Sequence, residues 1–262
     1  MDIVSNQGLQ QNAAHEKRWV ALTSVLAAIL LTSMKLVVGL LTGSLGILAE
    51  AAHSGLDLVA ALVTYFAVRI SGRPADARYT YGYGKVENLS ALIETLLLLL
   101  TCVWIIYEAI LRLFFKSVEV EASIWAFLIM GISILVDLGR SHSLARAARK
   151  YDSQALEADA LHFSTDIWSS SVVIAGLILV VLSARLGIPW LVKADAVAAL
   201  GMAGIVVFVS LQLGKKTVTA LLNAVPAGLR DEVTRAVRVP GVQEVRRTVF
   251  AAAGRRPSRT SP

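Results

Sequence analysis

The sequence is short of charge and nearly without cysteine. Charged residues make up 17% of its 262 positions, whereas an average soluble domain carries about 25%, so an ordinary soluble fold is excluded. Its single cysteine, Cys102, lies within an apolar run, which excludes a disulfide framework. The first eighteen residues are polar and lead into an apolar segment long enough to span a membrane, so we expect no cleaved signal peptide.

Long apolar segments make up most of the chain. Hydrophobic residues make up 56% of it, the mean hydropathy is +0.65, and the charged residues cluster between the segments. We therefore predict an all-α membrane protein, a six-helix transmembrane bundle. The predicted spans are residues 19–41, 45–70, 86–114, 122–138, 155–182 and 194–213.

The segments outside the predicted six-span domain (19–213) are polar. Residues 1–18 show no apolar periodicity and are predicted to form a mobile cytosolic tail. The pattern of residues 214–250 predicts one short amphipathic helix and one strand, which together cannot bury a core. We predict there the remnant of a truncated cytosolic αβ domain, unless the segment packs against the bundle or a second chain. Residues 251–262 are small, basic and rich in proline and serine, which is typical of disorder.

Basic residues favour one orientation in the membrane. With the N-terminus in the cytosol, six spans return the C-terminus to the cytosol, and most basic residues near the spans then fall on that side. Those inside are Arg69, Arg73, Arg78, Lys85, Arg140, Arg146, Arg149, Lys150, Lys215 and Lys216, and those outside are Arg112, Lys116, Arg185 and Lys193. We expect a multi-pass protein of the cell membrane with both termini cytosolic, and no nucleic-acid partner is needed to explain the net charge of +6.

Two apolar segments each carry a histidine and an aspartate four residues apart. The second span reads A-E-A-A-H-S-G-L-D and contains His53 and Asp57, and the fifth reads A-D-A-L-H-F-S-T-D and contains His162 and Asp166. Four residues are a little more than one helical turn, so each pair lies on one helix face. The two pairs together supply two imidazoles and two carboxylates, which predicts a four-coordinate metal site. Zn²⁺ suits it best, with Co²⁺, Cd²⁺, Fe²⁺, Ni²⁺ and Mn²⁺ as alternatives.

The other interpretation of these four residues is two interhelical His–Asp hydrogen bonds that hold the bundle together. It is disfavoured because an ionisable group at membrane depth costs at least about 2.5–3.5 kcal/mol, whereas an interhelical polar bond contributes only about 0.6 kcal/mol. All four ligands come from the protein and leave no position for a catalytic water. We thus predict a metal that is carried, no enzyme activity, and no cofactor besides the carried ion.

Other polar residues in the spans have less specific roles. Glu50 and Asp159 each precede a candidate histidine ligand by three residues, and each either orients that ring or lines the mouth of a water-filled cavity. Lys35 is expected to pair with an acidic neighbour, and Asp137 with Arg140.

The chain resembles the cation diffusion facilitator family of divalent-metal transporters over residues 19–249. The resemblance rests on three motifs in combination: S-L-G-I-L-A-E-A-A-H-S-G-L-D, Y-G-Y-G-K-V-E-N-L and S-Q-A-L-E-A-D-A-L-H-F-S-T-D. It implies a six-helix bundle, usually a homodimer, that exports Zn²⁺ or a similar ion from the cytosol in exchange for protons. The implied transport site is His53, Asp57, His162 and Asp166. A histidine at position 53, where some relatives have aspartate, resembles the zinc-preferring pattern.

Two departures from the family pattern affect these expectations. Some relatives hold a second metal in the first cytosolic loop with an aspartate and a histidine. Asp76 matches the aspartate, but Tyr83 stands where the histidine would be, so we expect that site to be absent. No histidine follows His162, which argues against metal sensing by histidines of the shortened domain 214–250 and leaves the strength of the dimer open.

Two alternative functions stay open at this point. One is a metal-binding membrane subunit that does not transport, which the short C-terminal region makes plausible. The other, less favoured, is an intramembrane metalloenzyme, and the H-E-x-x-H motif that would support it does not occur in the sequence.

Overall fold

A computed structural model of the chain describes residues 2–43, 45–73, 75–80, 82–114, 124–186 and 191–222. Nearly all of these residues belong to six α-helices. The helices are α1 (Asp2–Thr42), α2 (Leu45–Ser71), α3 (Lys85–Phe114), α4 (Ile124–Tyr151), α5 (Gln154–Leu186) and α6 (Leu191–Leu221). Within the described ranges every regular element is helical, which confirms the predicted all-α membrane protein.

Five of the helices contain a stretch long and apolar enough to cross a membrane. These stretches are Asn12–Thr42, Glu50–Ser71, Lys85–Leu111, Phe127–Tyr151 and Leu200–Leu221. Large apolar side chains such as Leu41, Leu100 and Phe208 point away from the protein along them. A soluble protein rarely exposes so much apolar surface, whereas lipid is its natural surrounding. The fifth predicted span lies on α5, a helix of 33 residues.

The helices pack in three close pairs, α1 with α2, α3 with α6, and α4 with α5, and α5 also contacts α2, α3 and α6. The largest buried cluster lies between α1, α2, α4 and α5 and is rich in alanine, with Ala28, Ala61 and Ala160 beside the larger Phe163. Small residues let helix backbones approach closely in a membrane. Polar side chains on α2 and α5 can therefore reach one another across the bundle.

Residues 2–18, in the segment predicted to form a mobile cytosolic tail, are helical in the structure. Helix α1 begins at Asp2, and its polar part contacts the rest of the bundle. Lys17 Nζ donates to Glu87 Oε1 on α3 at 2.5 Å, and Arg18 Nη2 donates to the carbonyl oxygen of Arg69 on α2 at 3.2 Å. The helix itself was not expected from the polar, aperiodic sequence, and these contacts tie its residues 17 and 18 to α3 and α2. That residues 1–18 form a mobile cytosolic tail stays a prediction.

Glu87 joins four parts of the bundle at this same end. Besides Lys17, it accepts hydrogen bonds from Ser71 at the end of α2 (2.5 Å) and from Ser153 in the turn between α4 and α5. The Glu87 side chain is buried by these partners. The cluster fixes the ends of α2 and α5 relative to α3.

Two other helix ends differ from the predicted spans. Helix α4 runs through Tyr151, beyond the predicted end of the fourth span at residue 138, and it turns into α5 at Asp152, whose φ is 49°. Helix α6 continues to Leu221, beyond the predicted end of the sixth span. Residues 223–262, which include most of the predicted αβ remnant and the whole predicted disordered segment, lie outside the described residues.

Candidate metal site

Two histidines and two aspartates meet in the middle of the bundle, between α2 and α5. His53 and Asp57 lie one turn apart on α2, and His162 and Asp166 lie one turn apart on α5. The two helices are in contact, and the residues of each pair face those of the other. The structure therefore brings together all four residues that the sequence predicts as ligands.

The four side chains form a ring in which imidazole and carboxylate alternate. His53 Nε2 lies 3.9 Å from Asp57 Oδ1 and 3.7 Å from Asp166 Oδ1. His162 Nε2 lies 3.2 Å from Asp57 Oδ1 and 3.6 Å from Asp166 Oδ2. A tetrahedral zinc site with bonds of about 2.0–2.1 Å has donor-to-donor edges of about 3.3–3.4 Å. The four observed distances are close to that size, with Asp166 facing His53 through Oδ1 and His162 through Oδ2. The dimensions of the ring therefore suit a single small ion.

Three members of the ring form one mutually close group of donors. One ligand atom each from His53, Asp57 and Asp166 lie within 4.8 Å of one another. His162 completes the set through its contacts with both aspartates. As metal ligands the four residues stay a prediction, which their spacing supports.

The ring is open on one side only. The His53 side chain is 36% exposed, whereas the side chains of Asp57, Asp166 and His162 are 12%, 11% and 4% exposed. His53 is therefore the most exposed member of the ring and His162 the most buried. Within the described residues, Asp166 Oδ2 has no hydrogen-bond partner, so its lone pairs are free, and His162 Nδ1, the imidazole nitrogen that does not face the ring, has none either.

A buried lysine of α1 contacts α2 beside the ring, towards the end of the bundle opposite to Glu87. Lys35 Nζ donates to Ser54 Oγ at 2.7 Å and to Glu50 Oε2 at 3.2 Å. The expectation that Lys35 pairs with an acidic neighbour is confirmed. Glu50 is thus engaged by the lysine, and in the described structure it makes no hydrogen bond to His53.

The Asp137–Arg140 ion pair predicted on α4 is present and is buried. Arg140 Nη1 lies 3.0 Å from Asp137 Oδ1, and the guanidinium stacks over the Phe163 ring at 3.4 Å from its centroid. Arg140 also donates to Ser24 Oγ from Nη2 at 3.2 Å, and Ser24 in turn donates to Asp159 Oδ2 at 3.4 Å. Asp159 is therefore bound into a network with α1 and α4 and does not hydrogen-bond His162 among the described residues.

Two buried carboxylates in α3, those of Glu87 and Glu94, were not singled out from the sequence. Glu87 gathers the helix ends described above, and Glu94 is fully buried, where it accepts a hydrogen bond from Thr64 on α2. The available signal was an acidic residue within the third apolar span, because ionisable groups at that depth are functional candidates by default.

In the loop between α2 and α3, the Asp76 carboxylate makes several hydrogen bonds within the loop itself. Its carboxylate accepts hydrogen bonds from the Tyr83 hydroxyl (2.6 Å) and from the backbone amides of Arg78 (2.8 Å) and Tyr79 (2.7 Å). The hydrogen bond from Tyr83, followed by those from the backbone amides, holds the pKa of Asp76 below its ordinary value. The same carboxylate raises the pKa of Tyr83. The absence of a second metal site in this loop stays a prediction.

The fold and the central ring together define a class: a multi-pass membrane protein that moves cations. Residues 21–222 match the model of the cation efflux transmembrane domain. The chain belongs to the cation diffusion facilitator family of cation efflux transporters.

Sequence similarity to other proteins supports this family membership. The chain is 32% identical to the magnetosome protein MamB of Magnetospirillum gryphiswaldense over 214 residues, which are 82% of this chain and 68% of that protein. It is 32% identical to the cation-efflux pump FieF of Yersinia enterocolitica over 236 residues, 85% of this chain and 72% of that protein. The FieF pump of Klebsiella pneumoniae is 31% identical over 228 residues, 86% of this chain and 72% of that protein.

Proposed function

We propose that this cation efflux transporter exports Zn²⁺ from the cytosol in exchange for protons, and that His53, Asp57, His162 and Asp166 bind the ion. The observation that carries the proposal is the alternating ring, with N-to-O distances of 3.2–3.9 Å between helices α2 and α5. A ring of this size with two nitrogens and two carboxylate oxygens suits a small divalent ion in tetrahedral geometry.

Ligand chemistry supports zinc ahead of the other ions. Two imidazoles and two carboxylates form a borderline donor set, which Zn²⁺ accepts without a geometric preference of its own. Co²⁺, Cd²⁺, Fe²⁺, Ni²⁺ and Mn²⁺ remain alternative substrates. Because the protein supplies four ligands, the ion is held as cargo and carries no water for catalysis.

The same ligands couple metal to protons. A metal binds only when both imidazoles are neutral and both carboxylates are ionised, so metal and protons compete for the ring. If the bundle alternates between inward-open and outward-open states, as secondary transporters do, protons entering from outside displace the metal there. They are then carried inward in its place.

The arrangement in the membrane follows the basic residues. We place the protein in the cell membrane with both termini in the cytosol, because the α2–α3 and α4–α5 ends of the bundle hold Arg69, Arg73, Arg78, Arg146 and Lys150. A homodimer is the expected assembly for this family.

Transport by purified protein in proteoliposomes tests the proposal. Zinc entry is followed with an internal zinc-sensitive dye, with and without a pH gradient, and lumenal pH is followed in parallel. Asp57→Asn and Asp166→Asn keep the size of each ligand but remove its charge, and each is expected to lower zinc flux at least tenfold. Wild-type flux is expected to rise with an opposing proton gradient.

A control variant tests whether the loss of any exposed histidine lowers zinc flux. His142 lies exposed on α4 with Arg146 Nη2 2.9 Å from its Nε2, so His142→Ala should transport normally. Unchanged flux in both aspartate variants would refute the site. Zinc binding without flux in the wild type would instead support a non-transporting subunit, and flux indifferent to pH would refute proton exchange.

A further inference from the structure

A second pair of acidic side chains lies one turn from the metal ring, towards the end of the bundle marked by Glu87. Glu94 on α3 and Asp159 on α5 are both fully buried. Ala91 and Ala158, which precede them on their helices, pack in one cluster with Leu213 of α6. This packing holds the two helices together at the level of the carboxyl groups, and the charge of Asp159 acts on Glu94.

Few positive charges face this pair. The charged or titratable side chains that face Asp159 are Arg140 from α4, Asp57 from α2 and His162 from α5 itself, together with Glu94 from α3. Arg140 already forms an ion pair with another carboxylate at 3.0 Å. Neutralisation of both buried carboxylates is therefore incomplete, and two like charges at close range in a dry interior are strongly disfavoured.

The charged group that faces Glu94 is Asp159; its other close polar contact is a hydroxyl. Thr64 on α2 donates to Glu94 Oε1, and Ser24 on α1 donates to Asp159 Oδ2. From α6, the described packing against this region is made by apolar Leu213.

Hydrogen bonding leaves one oxygen of each acid unmatched. Among the described residues, Glu94 Oε2 and Asp159 Oδ1 have no hydrogen-bond partner. Ionised carboxylates only accept hydrogen bonds, so two of them cannot satisfy each other. A proton on one of the two acids removes one charge and supplies the missing donor.

We propose that Glu94 and Asp159 form a proton-binding site, separate from the four metal ligands, in which the two buried carboxyl groups share one proton. Glu94 carries the proton on Oε2, because Oε1 accepts the Thr64 hydrogen bond and because Asp159 faces Arg140. Loss of the proton to solvent leaves two carboxylates. A pair of acids that cannot both ionise is a known way to hold a proton near neutral pH.

The link to transport rests on the proposed function. A divalent ion in the ring lies about one turn from Asp159, roughly 4.5 Å along the helix axis. Its charge would stabilise both carboxylates and expel the shared proton to solvent. The pair then adds about one proton to those that the metal displaces from its own ligands.

Infrared spectroscopy of the metal-free full-length chain in detergent at neutral pH tests the shared proton directly. The wild type is expected to show the carbonyl stretch of a protonated carboxyl group, identified by its shift in heavy water. Glu94→Gln should lose that band. Ser90→Ala, which removes another buried hydroxyl one turn earlier on α3, should keep it. A band of wild-type intensity in Glu94→Gln overturns the proposal.

A second variant keeps the test decisive if Glu94→Gln does not fold. Thr64→Val preserves shape but removes the donor to Oε1, so the carbonyl band should move to higher frequency. An unmoved band overturns the assignment to Glu94.

Proton release with zinc, followed by an indicator dye in weak buffer, tests the coupling. The wild type should release about one proton more per zinc than Glu94→Gln, and equal release overturns the link to the ring. If the ring binds no zinc, neither protein releases protons while the infrared band persists. That result removes the proposed function and leaves the shared proton standing.

Discussion

Zinc binding should weaken much more when His162 is replaced than when His53 is replaced. Four-ligand zinc sites in small proteins have apparent binding free energies of about 10–16 kcal/mol, so one of four similar ligands contributes about 3 kcal/mol. The ring distances of 3.2–3.9 Å give no reason to weight one donor far above another. His162→Ala is therefore expected to weaken zinc binding about 100-fold, since 1.4 kcal/mol is a factor of ten.

Exposure makes the two histidines unequal. The His53 side chain is 36% exposed and that of His162 is 4% exposed. In His53→Ala, water can enter and serve as the fourth zinc ligand, and we expect a loss of only about 10-fold. At the inner position the surrounding helices exclude water, so nothing replaces His162.

The assay is isothermal titration of zinc into the purified full-length chain in detergent, with a competing chelator to bring the affinity into range. His142→Ala serves as the control for loss of an exposed histidine. A wild-type affinity in both ring variants would refute the site. An equal or larger loss in His53→Ala would refute the argument that water access ranks the two ligands.

Three other outcomes are expected. Glu87→Gln should lower the free energy of unfolding by about 2–3 kcal/mol in thermal unfolding, because this buried carboxylate accepts bonds from a lysine and two serines. Gly39→Ala should lower it by about 1–3 kcal/mol, because the new Cβ would lie 3.2 Å from a backbone nitrogen of α2; Gly131→Ala, with nothing within 4 Å, should be neutral or stabilising. Asp76→Asn should move the ionisation of Tyr83 to lower pH in an ultraviolet titration, because the carboxylate raises the pKa of that phenol.

Each of these outcomes has a control and a contradicting result. Glu157→Gln removes an exposed ion pair with Lys216 and should change stability by less than about 1 kcal/mol; a loss as large as that of Glu87→Gln would show that burial is irrelevant. Equal stability of the two glycine variants would contradict the close α1–α2 contact. The hydrogen bond of Tyr83 stabilises the loop below the ordinary tyrosine pKa of about 10 and is lost as pH rises through the raised value. Tyr83→Phe should abolish the shifted transition, and its persistence would assign the shift to another tyrosine.

Local patterns predicted the helices and the two half-sites, and the reason is geometric. The spacing of four residues within His53–Asp57 and within His162–Asp166 sets each pair on one face of its own helix. The ion pair of Asp137 with Arg140 is equally local, three residues apart. Each of these relations depends only on the helical repeat.

Contacts between different helices could not be predicted from the sequence in the same way. In the sequence, Glu94 is a single acidic residue within an aliphatic span. Its position relative to Asp159 depends on how α3 packs on α5. The segment 1–18 was predicted to be a mobile tail, because it lacks the apolar periodicity that indicates a packed helix. Its helix is supported by partners such as Glu87, far away in the chain.

By itself the amino-acid sequence determined the membrane class, the helical content and the identity of the four candidate ligands, because apolar length and helical periodicity are properties of short segments. The tertiary structure decided that His162 and Asp57, 105 residues apart in the chain, lie 3.2 Å from each other. It also decided which ligand faces water and which acids share a buried site. Those outcomes depend on the close packing of small residues between helices, and no repeat within one helix encodes the register of its neighbour.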